Sequence, residues 1–328
     1  MHDITNTERK LPIKINLPEG FLDEEVRDGY AVSGKMKELW AVELDLLCEF
    51  MRVCDRHNII YYADAGTILG AARHKGFIPW DDDIDVMMMR DQYDKLCSIA
   101  EKEFKAPYFF QTEYTDPGSA RGHAQLRNSM TTALLDSEIG LKLNYNRGIF
   151  LDIFPIDSIP DDPAEFESFH KKICREKKRY LTLLGYGANY KKNKSKTPLR
   201  ALVKALLHQL LNGPLKDAYR YFYENYEKNC TSYNKNADTK RVAKLFALPL
   251  NKERRIWPRK DFDSITYLPF EMLNIPVPSG YLDILERFDG NWQEYVVGTA
   301  THGGLTFDTL TPYKEYVREQ FGGDDEKV

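Results

Sequence analysis

One stretch limits what this chain can fold into more than any other. Between Tyr62 and Met89 it sets two short apolar runs around a small-residue turn (Gly66, Thr67), a basic loop (Arg73, His74, Lys75, Gly76) and a carboxylate cluster (Asp81, Asp82, Asp83, Asp85). Ile59 to Ala63 is short, β-branched and aromatic, as a buried strand should be, and Gly66 breaks it. Thr67 to His74 then reads as a short helix whose first amide N–H groups and positive dipole end face whatever lies near Gly66 and Thr67; an anion is the natural guest. The pattern Asp83-Ile84-Asp85-Val86-Met87-Met88 predicts a second strand. Residues i and i+2 of a strand share a face, so Asp83 and Asp85 are expected to project together. Two carboxylates that close repel one another unless a cation or proton lies between them. The stretch therefore suits a phosphate and a divalent cation.

The flanking chain supplies a frame. Lys35 to Asn58 carries apolar residues near a period of 3.6, with Ser33 as its cap, and Arg90 to Phe104 forms another helix. Strands are expected at Tyr108–Gln111, Ala124–Arg127, Thr131–Leu135 and Gly148–Phe154, with turns at Pro117, Gly118, Gly122 and Gly140. The last strand sets Asp152 among large apolar residues, where an ionised side chain is costly unless partnered. If that strand neighbours the one bearing Asp83 and Asp85, three carboxylates converge on one cation. His123, Gln125 and Arg127 alternate along one strand face; Arg127 is a second candidate for phosphate, whereas a histidine in such a place is most often packing.

Beyond Pro160 the character changes to charged helices, expected over Ala164–Leu184, Asp217–Lys228 and Tyr281–Phe288. Residues 191–211 join a lysine-rich loop to a leucine-striped helix opening at Pro198. The stripe suits core packing; the same ingredients also suit docking on an anionic membrane surface. The chain divides on this reading into an N-terminal arm (1–32), a catalytic core (33–158), a helical and C-terminal elaboration packed on it (159–300) and a tail (301–328).

Composition excludes some classes. A net charge of −4 over 328 residues lacks the basic footprint needed to coat nucleic acid. Five scattered cysteines with no Cys-x-x-Cys pair disfavour a disulfide framework or structural zinc, and fit a reducing cytoplasm. The polar first 30 residues read as no signal peptide, and no apolar run is long enough to span a bilayer. A soluble cytoplasmic protein is expected, with the inner membrane face as its peripheral site if residues 191–211 dock there.

The run from Asp64-Ala-Gly-Thr-Ile-Leu-Gly through Trp80-Asp-Asp-Asp-Ile-Asp85, the later Leu151-Asp152-Ile-Phe-Pro155, and Tyr281-Leu282 followed by Phe288-Asp-Gly-Asn-Trp292 resemble the LicD family over about residues 40–300. The resemblance implies an α+β fold: a nucleotidyltransferase-like core, a mixed sheet flanked by helices, with a helical insertion and C-terminal elaboration. It implies transfer of phosphocholine, or a polyol phosphate such as ribitol phosphate, from CDP-choline or another CDP-alcohol to a glycan or teichoic acid precursor of the cell wall, lipid-linked forms included. Carried onto matching positions, Asp83 and Asp85 hold Mg2+ or Mn2+, and Asp152 either completes the metal site or takes the proton of the attacking hydroxyl. Gly66 and Thr67 then face the diphosphate, while Arg73 and Lys75 balance its charge. Asp81 or Asp82 either joins the outer shell of the metal or is a surface turn. Trp80, Tyr62, Trp292 and Tyr281 are rings available to a quaternary ammonium. Two alternatives stand beside this reading: a nucleotidyltransferase that releases pyrophosphate, and a non-catalytic nucleotide-binding protein.

Overall fold

Ser33 begins the first long element. Its side chain accepts a hydrogen bond from Met36 N at 3.2 Å, capping helix α1, Gly34–Arg56. The structure, a computed structural model, describes residues 10–139, 143–188, 203, 206, 209–211, 213–236, 238–247, 252–298 and 304–321. Before α1, β1 (Glu25–Arg27) and β2 (Tyr30–Val32) pair as an antiparallel hairpin within the expected N-terminal arm. After it come β3 (Tyr62–Ala63), α2 (Ala65–Arg73), β4 (Asp85–Met89), α3 (Arg90–Glu103), β5 (Tyr108–Gln111), β6 (Ala124–Asn128), β7 (Thr132–Leu135) and β8 (Ile149–Ile159). The order matches the alternation read from the sequence.

The fold is α+β, a mixed sheet flanked by helices. Its central strand is β8, parallel to β4 and antiparallel to β6 along its first half. β3 pairs antiparallel with β4, and β5 with β6. Helix α1 packs across β8 and β6, and α3 against β8 and β4. Strand β8 runs past the expected end at Phe154 because Pro155 does not interrupt it. Asp152 donates its amide to Ile84 O, so by alternation the nitrogen of residue 155 faces the opposite edge. On that edge β6 pairs only through Ile153, and β9 (Arg241–Ala243) joins from Asp157. The missing N–H falls in the gap between the two partners.

The remaining elements are α4 (Pro163–Ala188), α5 (Ala218–Cys230), β10 (Ile256–Pro258), β11 (Ile265–Phe270), β12 (Leu273–Pro278), α6 (Tyr281–Asp289), β13 (Leu305–Asp308) and α7 (Tyr313–Phe321). Helices α4 and α5 pack together over a second apolar cluster rich in tyrosine, including Tyr180, Tyr219, Tyr223 and Tyr226. β10 extends the main sheet beyond β9, β11 and β12 form a hairpin, and β13 pairs with β7. The lysine loop at 191–196, most of the stripe at 198–211, and His302 and Gly303 lie outside the described residues; within the stripe Val203 and Leu206 are exposed and Leu211 is buried. Among the described residues no helix is long and apolar enough to cross a membrane.

Candidate functional site

The register of β4 on β8 makes Asp85 and Asp152 direct neighbours. Adjacent strands lie ~4.8 Å apart, so two carboxylates are brought side by side on one face of the sheet. Asp83 precedes the strand rather than lying in it, contrary to the expected start of β4. Its carboxylate still reaches the same place: ligand atoms of Asp83, Asp85 and Asp152 all lie within 4.8 Å of one another. Asp81, Asp82 and Asp83 form a second such trio one step back along the loop.

Each acid is placed by a local contact. Thr67 Oγ1 accepts the amide of Asp85 at 2.8 Å, and Asp64 donates its own amide to Asp85 O at 3.0 Å, tying the first turn of α2 to the start of β4. Trp40 Nε1 on α1 donates to Asp81 O at 2.9 Å. A Cβ on Gly66 would meet Asp81 Oδ2 at 2.4 Å, so the turn must be glycine for that carboxylate to sit over it. Asp152 Oδ1 accepts from His123 Nε2 at 3.1 Å and from Gln125 Nε2 at 2.6 Å.

The electrostatics are those of a cation site. Burial raises the Asp85 carboxyl well above its ordinary range, and Asp83 and Asp152 push it further, with Lys244 opposing. Asp152 moves the other way: burial works against its charge, but His123, Gln125 and Arg121 outweigh it and hold the carboxyl low. Glu43 of α1 is 1% exposed and is raised well above its ordinary range by burial and then by Asp83, Asp82, Asp81 and Asp85. Asp85 Oδ1 is buried without a hydrogen-bond partner. A buried carboxylate oxygen lacking a donor, beside two further acids, fits a hard divalent ion, which prefers oxygen ligands. Asp83, Asp85 and Asp152 are the residues suited to hold it.

The cationic candidates are placed elsewhere. Arg73 Nη1 donates to Trp292 O and Glu294 O, each at 2.8 Å, and the guanidinium lies 4.9 Å over the Tyr295 ring. Lys75 is exposed, has φ +58° and accepts the Glu271 amide at its carbonyl. Arg127 is 1% exposed and gives its donors to Gln111 Oε1, Gly148 O and Gln125 Oε1. Thus Gly66, Thr67, Asp83, Asp85 and Asp152 meet at one place, whereas Arg73, Lys75 and Arg127 have protein partners or open solvent around them. Of the ring candidates, Tyr62 is buried against Phe262 and Trp80 packs on Tyr30.

The structure adds residues that sequence reasoning left unassigned. Lys244, 3% exposed, forms an ion pair with Asp64 and lies 4.2 Å over the Phe154 ring. His123 packs at a tilt against both Phe154 and Phe246, which stack on each other with centroids 4.6 Å apart. The alternate spacing of His123 and Gln125 was a visible signal, as was Glu43, a charge on the apolar face of a helix. Lys244 gave none, because only tertiary folding brings it to Asp64.

Residues 58–180 match the family described as LicD/FKTN/FKRP, nucleotidyltransferase domain. The chain is 27% identical over 259 residues to the lipopolysaccharide cholinephosphotransferase LicD of Haemophilus influenzae, covering 79% of this chain and 91% of that protein. A 94-residue stretch is 37% identical to the uncharacterized protein RP689 of Rickettsia prowazekii, covering 28% of this chain and 31% of that one. Asp83, Asp85 and Asp152 all fall inside residues 58–180, the part of this chain that matches the LicD family.

Proposed function

We propose that this chain is a metal-dependent phosphotransferase that moves phosphocholine, or a similar phospho-alcohol, from a CDP-linked donor to a sugar hydroxyl of a cell-surface glycan or teichoic acid precursor. The observation that carries the reading is the convergence of Asp83, Asp85 and Asp152 from the loop before β4, from β4 itself and from the neighbouring β8. The likeness to the Haemophilus cholinephosphotransferase supports the choice of phosphocholine. In this reading the core is a nucleotidyltransferase-like fold, and the three carboxylates hold Mg2+ or Mn2+. Such an ion, when bound, supplies neutralising charge and Lewis-acid polarisation to the phosphoryl oxygens.

The chain's own residues do the positioning. Thr67 fixes the backbone of Asp85, and His123 and Gln125 fix Asp152 from the opposite side. The N-terminal turn of α2 beside Gly66 offers amide N–H groups and a positive dipole end for the diphosphate. Lys244 contributes the nearby positive charge, since its field is felt at Asp85.

The deciding experiment is incubation with CDP-choline, CDP-ribitol, CDP-glycerol and nucleoside triphosphates in the presence of Mg2+. Release of CMP from a CDP-alcohol is the expected result; pyrophosphate from a triphosphate would identify a nucleotidyltransferase instead. Asp85→Asn is expected to lose metal-dependent turnover, and full retention would sink the assignment.

A further inference from the structure

Arg127 reaches the carboxylate site through another residue. On β6, Gln125 is the register partner of Asp152 on β8, and Arg127 lies two residues further along β6. Arg127 Nη2 donates to Gln125 Oε1, while Gln125 Nε2 donates to Asp152 Oδ1 at 2.6 Å. Gln125 is 2% exposed and Arg127 1%, so water does not replace these bonds.

The order of donors and acceptors leaves one arrangement. A guanidinium has five donors and no acceptor, so the amide atom facing it must be the oxygen. The NH2 of Gln125 is thereby turned toward Asp152. An ionised carboxylate can only accept, and its Oδ1 takes both this bond and the one from His123 Nε2. Oδ2 is the oxygen that these two donors do not hold. Arg127 is itself fixed by Gln111 Oε1 at 2.7 Å and Gly148 O at 2.6 Å, and Gln111 is fixed by Asp116 Oδ2 at 2.7 Å and Asn146 O at 2.9 Å. The guanidinium also lies 4.9 Å over the Phe150 ring, so it cannot turn without breaking several contacts.

We propose that Arg127 and Gln125 are positioning residues for the cation site: Arg127 sets the orientation of the Gln125 amide, and Gln125 sets the orientation of the Asp152 carboxylate toward the cation shared with Asp83 and Asp85. The inference rests on the reading of Asp152 as a cation ligand. It gives Arg127 a role different from the phosphate contact expected from sequence. Groups that orient a metal ligand change metal affinity by about 10–100-fold when removed.

The test is Mn2+ binding to the full chain, followed by electron paramagnetic resonance without any substrate. Gln125→Met and Arg127→Met are each expected to weaken binding by about 10–100-fold, and the double variant no more than the weaker single one, because both act along one line. Arg127→Lys, which can still donate to Gln125, should recover part of the loss. A merely structural role would lower the urea midpoint and leave Mn2+ affinity of the folded protein within about twofold of wild type, which overturns the inference; additive losses overturn it too. If Arg127→Met does not fold, Gln125→Met alone decides. Wild-type protein that is folded and binds no Mn2+ would remove the cation site itself, a different outcome from a site whose affinity ignores Gln125.

Discussion

Gly70 and Gly66 stand four residues apart on the same short helix, and a methyl group added to each meets a different kind of neighbour. At Gly70 the new Cβ would lie 2.4 Å from Gly76 O and 3.4 Å from Ile78 N, both backbone atoms of the returning loop. At Gly66 it would meet only the carboxylate of Asp81, whose Oδ2 is 2.4 Å away. Backbone held by its own hydrogen bonds cannot retreat, whereas a side-chain end can rotate. Gly70→Ala should therefore destabilise by about 1–3 kcal/mol through overpacking, although alanine is the better helix former. Gly66→Ala should cost less and displace Asp81 instead. Urea denaturation of both variants checks this, and equal losses would contradict it. Sequence marked Gly66 as a break in the chain, expected to face an anion. It did not show that a carboxylate lies over the turn, because that closeness is made by the return of the loop and not by local pattern.

Helix α1 shows how far element-level patterning reaches. Its period and cap were legible, but α1 is buried on more than one side, and two acids, Glu43 and Asp45, are enclosed on different faces at 1% exposure each. Asp45 is satisfied, accepting from Lys14 N, Ile15 N and Tyr108 Oη. Glu43 lies within the field of the aspartates, which together with burial raises its carboxyl. A carboxyl raised in the folded state holds its proton more tightly there than in the unfolded chain. Its contribution to stability is complete below the unfolded value, about pH 4.3, and is lost as pH rises toward the folded value. The loss is at most about 1.4 kcal/mol per pH unit from this one group. Glutamine has the same shape and no proton to lose. Glu43→Gln should thus match wild type near about pH 4 and exceed it increasingly toward neutrality, measured by urea denaturation in EDTA. A gap that does not change with pH would count against the burial of Glu43 beside the aspartates. Other elements were hidden for a different reason. The β11–β12 hairpin pairs Ile265 with Pro278 and Tyr267 with Pro276, so a run that reads as proline-broken is a strand pair. A two-stranded hairpin has only edge strands, where a missing N–H is tolerated.

At the scale of the whole molecule, the loop that leads into the carboxylates is held by chain from both ends. Arg27, in the first hairpin, pairs with Glu271, in the turn between β11 and β12, at 2.5 Å across 244 residues of sequence. Arg27 Nη1 also donates to Phe77 O at 3.2 Å, and Glu271 Oε1 accepts from Phe77 N at 3.0 Å. Glu271 N closes the contact on Lys75 O at 2.8 Å. The pair thus clamps residues 75–77 from two sides. No periodicity or local motif announces such a clamp, since its members come together only once the sheet and both hairpins are in place. The two side chains are largely enclosed, at 18% and 10% exposure, so removing Arg27 leaves Glu271 enclosed without its counter-charge, whereas removing Glu271 leaves Arg27 with Glu25 at 2.8 Å. Breaking such a pair by deleting one partner costs about 3–5 kcal/mol when burial is complete, and less here in proportion to the remaining exposure. Arg27→Met and Glu271→Met should each destabilise the protein, and the double variant should lose less than the two losses added together. The expected coupling is about 0.5–3 kcal/mol in a double-mutant cycle followed by urea denaturation. Losses that add to within about 0.5 kcal/mol would mean that the two residues act independently and that the clamp does not hold the loop.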